Sequence, residues 1–184
     1  VQVLGAFRML NEARAAEDRA VREAIALQES QPVLPIVGKF SSSKQRQLIA
    51  DVMKTVGFPF DRGRLDESAH AFTEGVPGDE RVTTRFDVGD PLSGLLGALH
   101  ETGHAMYDLG LPAKFADQPV GRDRGMALEE SQSLLLEMII GRNRPFLQWL
   151  RPLLEKHFGC TGAEWEVENL YRTLGEVSPV VRTL

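Results

Sequence analysis

The sequence predicts a mainly α-helical chain with one small β-hairpin. Two observations carry that expectation. Long stretches place apolar residues at helical spacing between clear start and stop residues, and only one segment, residues 81–86, alternates with the period of two that a strand requires. Length allows a sizeable core, since 184 residues with 42% apolar content suit one globular domain spanning residues 1–184.

The elements follow in order. Residues 10–28 are rich in Ala, Glu and Arg and lack Gly and Pro, so they predict an amphipathic helix. Pro32 and Pro35 end that pattern. Ser43 is a candidate cap for a second helix over residues 43–56, stopped by Gly57 and Pro59. In residues 81–86, Val82, Thr84 and Phe86 point one way and Arg81, Thr83 and Arg85 the other. A short strand over residues 68–73 is expected to pair with it through the turn chemistry of Pro77-Gly78-Asp79. Asp90 followed by Pro91 is an N-cap with proline at the first helical position. That helix should run over residues 91–109 and stop at Gly110 and Pro112. A loop over residues 114–125 leads to a helix over residues 126–140, with Leu134, Leu135, Met138 and Ile139 as its apolar positions. Two further helices are expected over residues 146–158 and 163–174.

Composition narrows the function classes. With 21 basic and 26 acidic residues the net charge is −5, and no basic stripe suggests nucleic acid. No apolar run is long enough for a membrane span. No secretory leader pattern stands at the start, and Cys160 is the single cysteine, so a reducing, cytoplasmic setting is expected.

The chemistry concentrates in His100-Glu101-Thr102-Gly103-His104, the H-E-x-x-H pattern of zinc peptidases. On a helix, residues four apart share one face, so His100 and His104 can hold one metal ion together. Glu101 stands beside them as a candidate general base toward water. The fold expectation thereby sharpens to a helical zincin-type peptidase core. A third ligand is needed, and Glu129 and Glu130, early on the next helix, are both in reach of a site between two packed helices. Gly103 costs roughly 1 kcal/mol relative to alanine inside a helix, which makes sense where another backbone comes close. Asp79 and Arg81 could simply be a surface ion pair.

Together these segments resemble the M32 family of metallocarboxypeptidases, the thermostable carboxypeptidase type. The family's His-Pro-Phe motif is matched by His70-Ala71-Phe72, with alanine for proline. Its Asp-x-Arg-x-Thr motif is matched by Asp79, Arg81 and Thr83. Its H-E-x-x-H motif is complete. Its His-Glu-Ser-Gln motif is matched by Glu129-Glu130-Ser131-Gln132, with Glu129 in place of histidine. Val181-Arg182 resembles the opening of an Ile-Arg motif.

The resemblance is clearest over residues 43–184 and implies the central part of a longer carboxypeptidase. It implies a helical fold and one Zn2+ per chain, with Co2+ as an alternative. His100, His104 and Glu130 would be the metal ligands and Glu101 the catalytic base. His70 and Arg182 would be substrate-binding, Arg182 through the bidentate fit of guanidinium to a carboxylate. The implied partners are peptides with a free C-terminus and a second copy of the chain in a homodimer. Two alternatives stand beside this reading: a zinc endopeptidase, and a truncated or degenerate fragment that binds metal without catalysis.

Overall fold

The computed structural model describes residues 2–177 apart from residue 77, with side chains described for residue 9 and residues 11–177. The element order is α1 (Gln2–Ser30), α2 (Ser42–Thr55), β1 (Gly63–Glu67), β2 (Phe72–Val76), β3 (Asp79–Thr84), α3 (Pro91–Gly110), α4 (Met126–Leu134), α5 (Arg144–Phe158) and α6 (Val167–Leu174). A π-helical segment, Leu135–Ile140, continues α4, and short 3-10 turns occupy Ala113–Phe115, Pro119–Gly121 and Ala163–Trp165. The mainly helical expectation holds.

α3 is the central element, and the sequence explains where it starts. The Asp90 carboxylate accepts hydrogen bonds from the backbone N–H of Leu92 and Ser93 at 3.1 Å each, and Pro91 follows it. These bonds satisfy two of the donors that a helix start leaves open. Leu92, Leu95, Leu96 and Leu99 are buried along one side of α3. They join Leu48, Ile49, Val52 and Met53 of α2 and Leu147, Leu150 and Leu154 of α5 in one hydrophobic cluster. α5 ends at Gly159, whose φ of 75° lies in the left-handed region that favours glycine.

The sheet is larger than expected. β2 and β3 form the antiparallel hairpin, turning at Gly78, whereas β1 adds a third strand parallel to β3 in the order β1-β3-β2. Much of the strand expected over residues 68–73 is instead the bend between β1 and β2. Thr83, on the face shared with Arg81 and Arg85, is only 6% exposed. β3 is the middle strand of the sheet, and the bend carrying His70 covers the side that would otherwise meet solvent.

The helix after the loop also departs from expectation. Leu134, Leu135, Met138 and Ile139 are exposed. Ser133 is buried, and Leu136 and Ile140 pack on the core. The backbone explains part of this. The Gly141 N–H bonds the Leu136 carbonyl at 2.8 Å, five residues back. A π turn takes in an extra residue, which rotates every later side chain relative to α-helical phasing. α4 packs on α3 with its polar face inward.

Candidate metal centre

The side chains of one short motif leave α3 in two directions. His100 and His104, one helical turn apart, face α4 and the π segment. Glu101 faces the sheet and is only 8% exposed. The two Nε2 atoms of His100 and His104 lie 3.2 Å apart. From α4, Glu130 brings Oε1 to 3.5 Å from His100 Nε2 and Oε2 to 3.4 Å from His104 Nε2. The three residues thus offer nitrogen and oxygen donors around one point.

This donor set fits a divalent ion. Tetrahedral zinc with bonds of about 2.0–2.1 Å separates its ligand atoms by roughly 3.3 Å. The two Nε2 atoms stand at 3.2 Å, close to that value, and each Glu130 oxygen approaches a different imidazole, at 3.5 and 3.4 Å. Two imidazoles and a carboxylate also match a known donor set of zinc peptidases, one that leaves a fourth position for water or substrate. Side-chain exposure of 22% at His100, 15% at His104 and 47% at Glu130 opens the group to solvent on the glutamate side.

α3 and α4 come this close because residue 103 has no side chain. A Cβ on Gly103 would stand 2.5 Å from Ser133 Cα and 2.6 Å from the Gln132 carbonyl oxygen. Both are backbone atoms, so no rotamer change could relieve the clash. The expectation of a close backbone approach at Gly103 is met, and the approach delivers Glu130.

Each polar atom beyond the donors has its own surroundings. His100 Nδ1 lies 3.0 Å from Glu137 Oε2, and Glu137 Oε1 is 2.7 Å from Arg142 Nη2. His104 Nδ1 has Glu129 Oε1 at 3.3 Å, but the alignment is not that of a hydrogen bond and Nδ1 is buried without a bonded partner. Thr73 of β2 has its hydroxyl 2.8 Å from both Glu101 Oε2 and the Glu101 carbonyl. Thr73, Glu137 and Arg142 escaped the sequence reading. For Glu137 a cue existed, because it lies seven residues after Glu130, on the same helical face.

The other candidates fall into three groups. Thr83 organises the bend that carries His70. Its hydroxyl accepts from the Phe72 N–H at 3.0 Å, Ser68 Oγ lies 2.7 Å away, and the His70 carbonyl is 3.5 Å distant. Ser68 Oγ also donates to the His70 carbonyl. Ala71 faces Gly97 on α3, one turn before Glu101, so the bend lies over the motif helix while the His70 side chain is exposed. Asp79 and Arg81 form a half-exposed ion pair at 2.9 Å, and the Arg81 hydrogen bond holds the Asp79 carboxyl below its usual value. Arg182 lies outside the described residues. Cys160 is remote from this group, and burial pushes its thiol up to about 11, so it has no thiolate character near neutral pH.

A cavity of about 390 Å³ opens beyond the last turn of α3, lined in part by Arg62, Glu80, Asp108 and Arg122. Burial raises the Glu80 and Asp108 carboxyls above their ordinary values; the charges of Asp108 on Glu80 and of Glu129 on Asp108 add to this.

Two imidazoles one turn apart on a helix and a glutamate from the helix packed across them form a group that could hold a metal ion, the kind of donor set found in the metallopeptidase class. The chain belongs to the carboxypeptidase Taq (M32) metallopeptidase family, which it matches over residues 7–183. It is 38% identical over 145 residues to carboxypeptidase 1 of Bacillus subtilis, a match covering 78% of this chain and 29% of that protein. It is 33% identical over 136 residues to thermostable carboxypeptidase 1 of Thermus thermophilus, covering 73% of this chain and 26% of that one. Its fold superposes on metallocarboxypeptidase 1 of Trypanosoma cruzi with a TM-score of 0.88 and 36% identity, covering 94% of this chain and 36% of that structure. The chain therefore spans about a third or less of the length of these relatives.

Proposed function

We propose that this chain carries the metal centre of a carboxypeptidase that removes C-terminal amino acids from peptides. The carrying observation is that His100, His104 and Glu130 each bring one donor atom to within 4.8 Å of the others, with the two Nε2 atoms 3.2 Å apart. His100 Nε2, His104 Nε2 and a Glu130 oxygen would hold the ion. Zinc is the ion this donor set fits, with cobalt as the alternative. A bound ion of this kind lowers the pKa of a coordinated water and polarises the scissile carbonyl.

The remaining work falls to the chain. Glu101 Oε1, free of the Thr73 hydroxyl that holds Oε2, accepts the proton of the attacking water and returns it to the leaving amine. Thr73 fixes the carboxylate so that its reorientation costs little during the reaction. The His70 bend, pinned by Thr83, and Arg182 are proposed for substrate recognition, Arg182 toward the terminal carboxylate. Asp79 and Arg81 support the hairpin turn. The reading extends to a homodimer and a cytoplasmic setting, with no nucleic acid or membrane partner. No helix among the described residues is long and apolar enough to cross a membrane.

The test pairs elemental analysis with amino-acid release from an N-blocked dipeptide. The expected result is one metal per chain, release only when the C-terminus is free, and a loss of about 10²–10⁴-fold in release by Glu101→Gln with metal content unchanged. Metal without release would favour a non-catalytic metal-binding piece, for which the acidic Glu129 beside His104 speaks. Cleavage of peptides with a blocked C-terminus would indicate an endopeptidase.

A further inference from the structure

The π segment does more than interrupt a helix. Within it Leu135, Met138 and Ile139 face outward, while Glu137 meets His100 of α3. There the Glu137 carboxylate meets two groups at once. Oε2 lies 3.0 Å from His100 Nδ1 and Oε1 lies 2.7 Å from Arg142 Nη2. Arg142 in turn donates from Nη1 to the Leu174 carbonyl at 2.6 Å, at the last residue of α6. The Glu137 and Arg142 side chains are only 19% and 25% exposed. Hydrogen bonds of charged groups are strong where water is largely excluded.

We propose that Glu137, anchored by Arg142, is a positioning residue for His100. The proposal rests on the reading of His100, His104 and Glu130 as metal donors. A neutral imidazole carries one proton, on either ring nitrogen. A carboxylate oxygen accepting from Nδ1–H at 3.0 Å holds the proton there, so Nε2 presents its lone pair to the point shared with His104 and Glu130. The same carboxylate restricts ring rotation. His104 lacks this support, since its Nδ1 is buried without a hydrogen-bonded partner. The two histidines are therefore unequal. His100 is oriented in advance through a chain of contacts reaching α6, whereas the Nδ1 of His104 has only the misaligned Glu129 Oε1 at 3.3 Å.

The test measures binding of cobalt and of zinc to the unsubstituted chain, Glu130→Ala, Glu137→Gln and Glu137→Asp, with far-ultraviolet circular dichroism to confirm folding. Glu130→Ala should lose the ion, which checks the underlying reading. Glu137→Gln should weaken binding by about 10–100-fold and shift the visible cobalt spectrum, and Glu137→Asp should recover part of the affinity. Should Glu137→Gln fail to fold, Arg142→Gln, which keeps the carboxylate and removes its anchor, should weaken binding by roughly tenfold. If the unsubstituted chain binds metal, Glu130→Ala abolishes binding and Glu137→Gln stays within about twofold with an unchanged spectrum, the positioning role is wrong and the metal centre stands. If the folded, unsubstituted chain binds neither ion, both readings fall.

Discussion

His100 and Glu101 are neighbours in the chain and inhabit different environments. The imidazole turns to α4 and the π segment, where carboxylates wait for it. The glutamate turns to the sheet, where a single hydroxyl holds it. Thr73 is the residue on which the proposed base depends, because its hydroxyl lies 2.8 Å from Glu101 Oε2. Replacing Thr73 by valine keeps the shape and removes the donor. A hydrogen bond to a charged group is worth about 1.5–3 kcal/mol, so Thr73→Val should slow amino-acid release by about 10–100-fold. Metal content should stay unchanged, since Thr73 touches none of the proposed donors. Steady-state release beside elemental analysis checks this, and a variant that lost its metal would contradict the assignment. His100, Glu101 and His104 were legible in the sequence as a group because one helical turn brings them together. Thr73 and Glu137 were not, because they lie 28 and 37 residues from their partners. Only the packing of separate elements makes those contacts.

At the scale of elements, the site is a seam between α3 and α4, and Gly103 sets its width. Its missing side chain lets the Gln132–Ser133 backbone come within contact distance. Gly103→Ala should force the helices apart, carrying Glu130 away from both histidines. Overpacking of this kind typically costs about 1–3 kcal/mol, and here the larger effect should fall on the metal, with affinity reduced by at least about tenfold. Denaturant unfolding of the apo chain and metal titration separate the two effects. A Gly103→Ala chain that bound metal normally would show that the seam has slack. The inverted face of α4 belongs to the same scale. Local pattern assigns apolar residues to the inside, as at Leu134 and Met138, but a functional polar stripe and π winding reversed that assignment here. No rule of periodicity sees either cause.

Across the whole molecule, one acidic residue joins elements far apart in sequence. Asp51 on α2 accepts hydrogen bonds from Lys156 Nζ and lies against His157 Nε2 on α5, both at 2.9 Å. The Lys156 hydrogen bond, and then that of His157, hold the Asp51 carboxyl below its usual value. A depressed carboxylate contributes stability above the ordinary aspartate value, and that contribution is lost as pH falls through the folded value. Asp51 is 41% exposed, so solvent screens the pair and limits its worth to about 1 kcal/mol. Asp51→Asn should therefore lower the thermal midpoint near neutral pH by about 2–4 °C, and the gap should close in acid. Thermal melts across pH read this directly. A gap that persisted below the folded value would assign the loss to packing and not to charge.

The sequence by itself determined the helical class, the start of α3 at Asp90, the hairpin, and the pairing of His100 with His104. Each depends on interactions within a few residues, which backbone geometry and local periodicity govern. The tertiary structure decided the rest. It added β1 beside β3, set Glu130, the ligand the family resemblance implied, against both Nε2 atoms, turned α4 polar side inward and brought Thr73 and Glu137 to the centre. These choices depend on which surfaces pack and how closely, and that is a property of the folded chain as a whole.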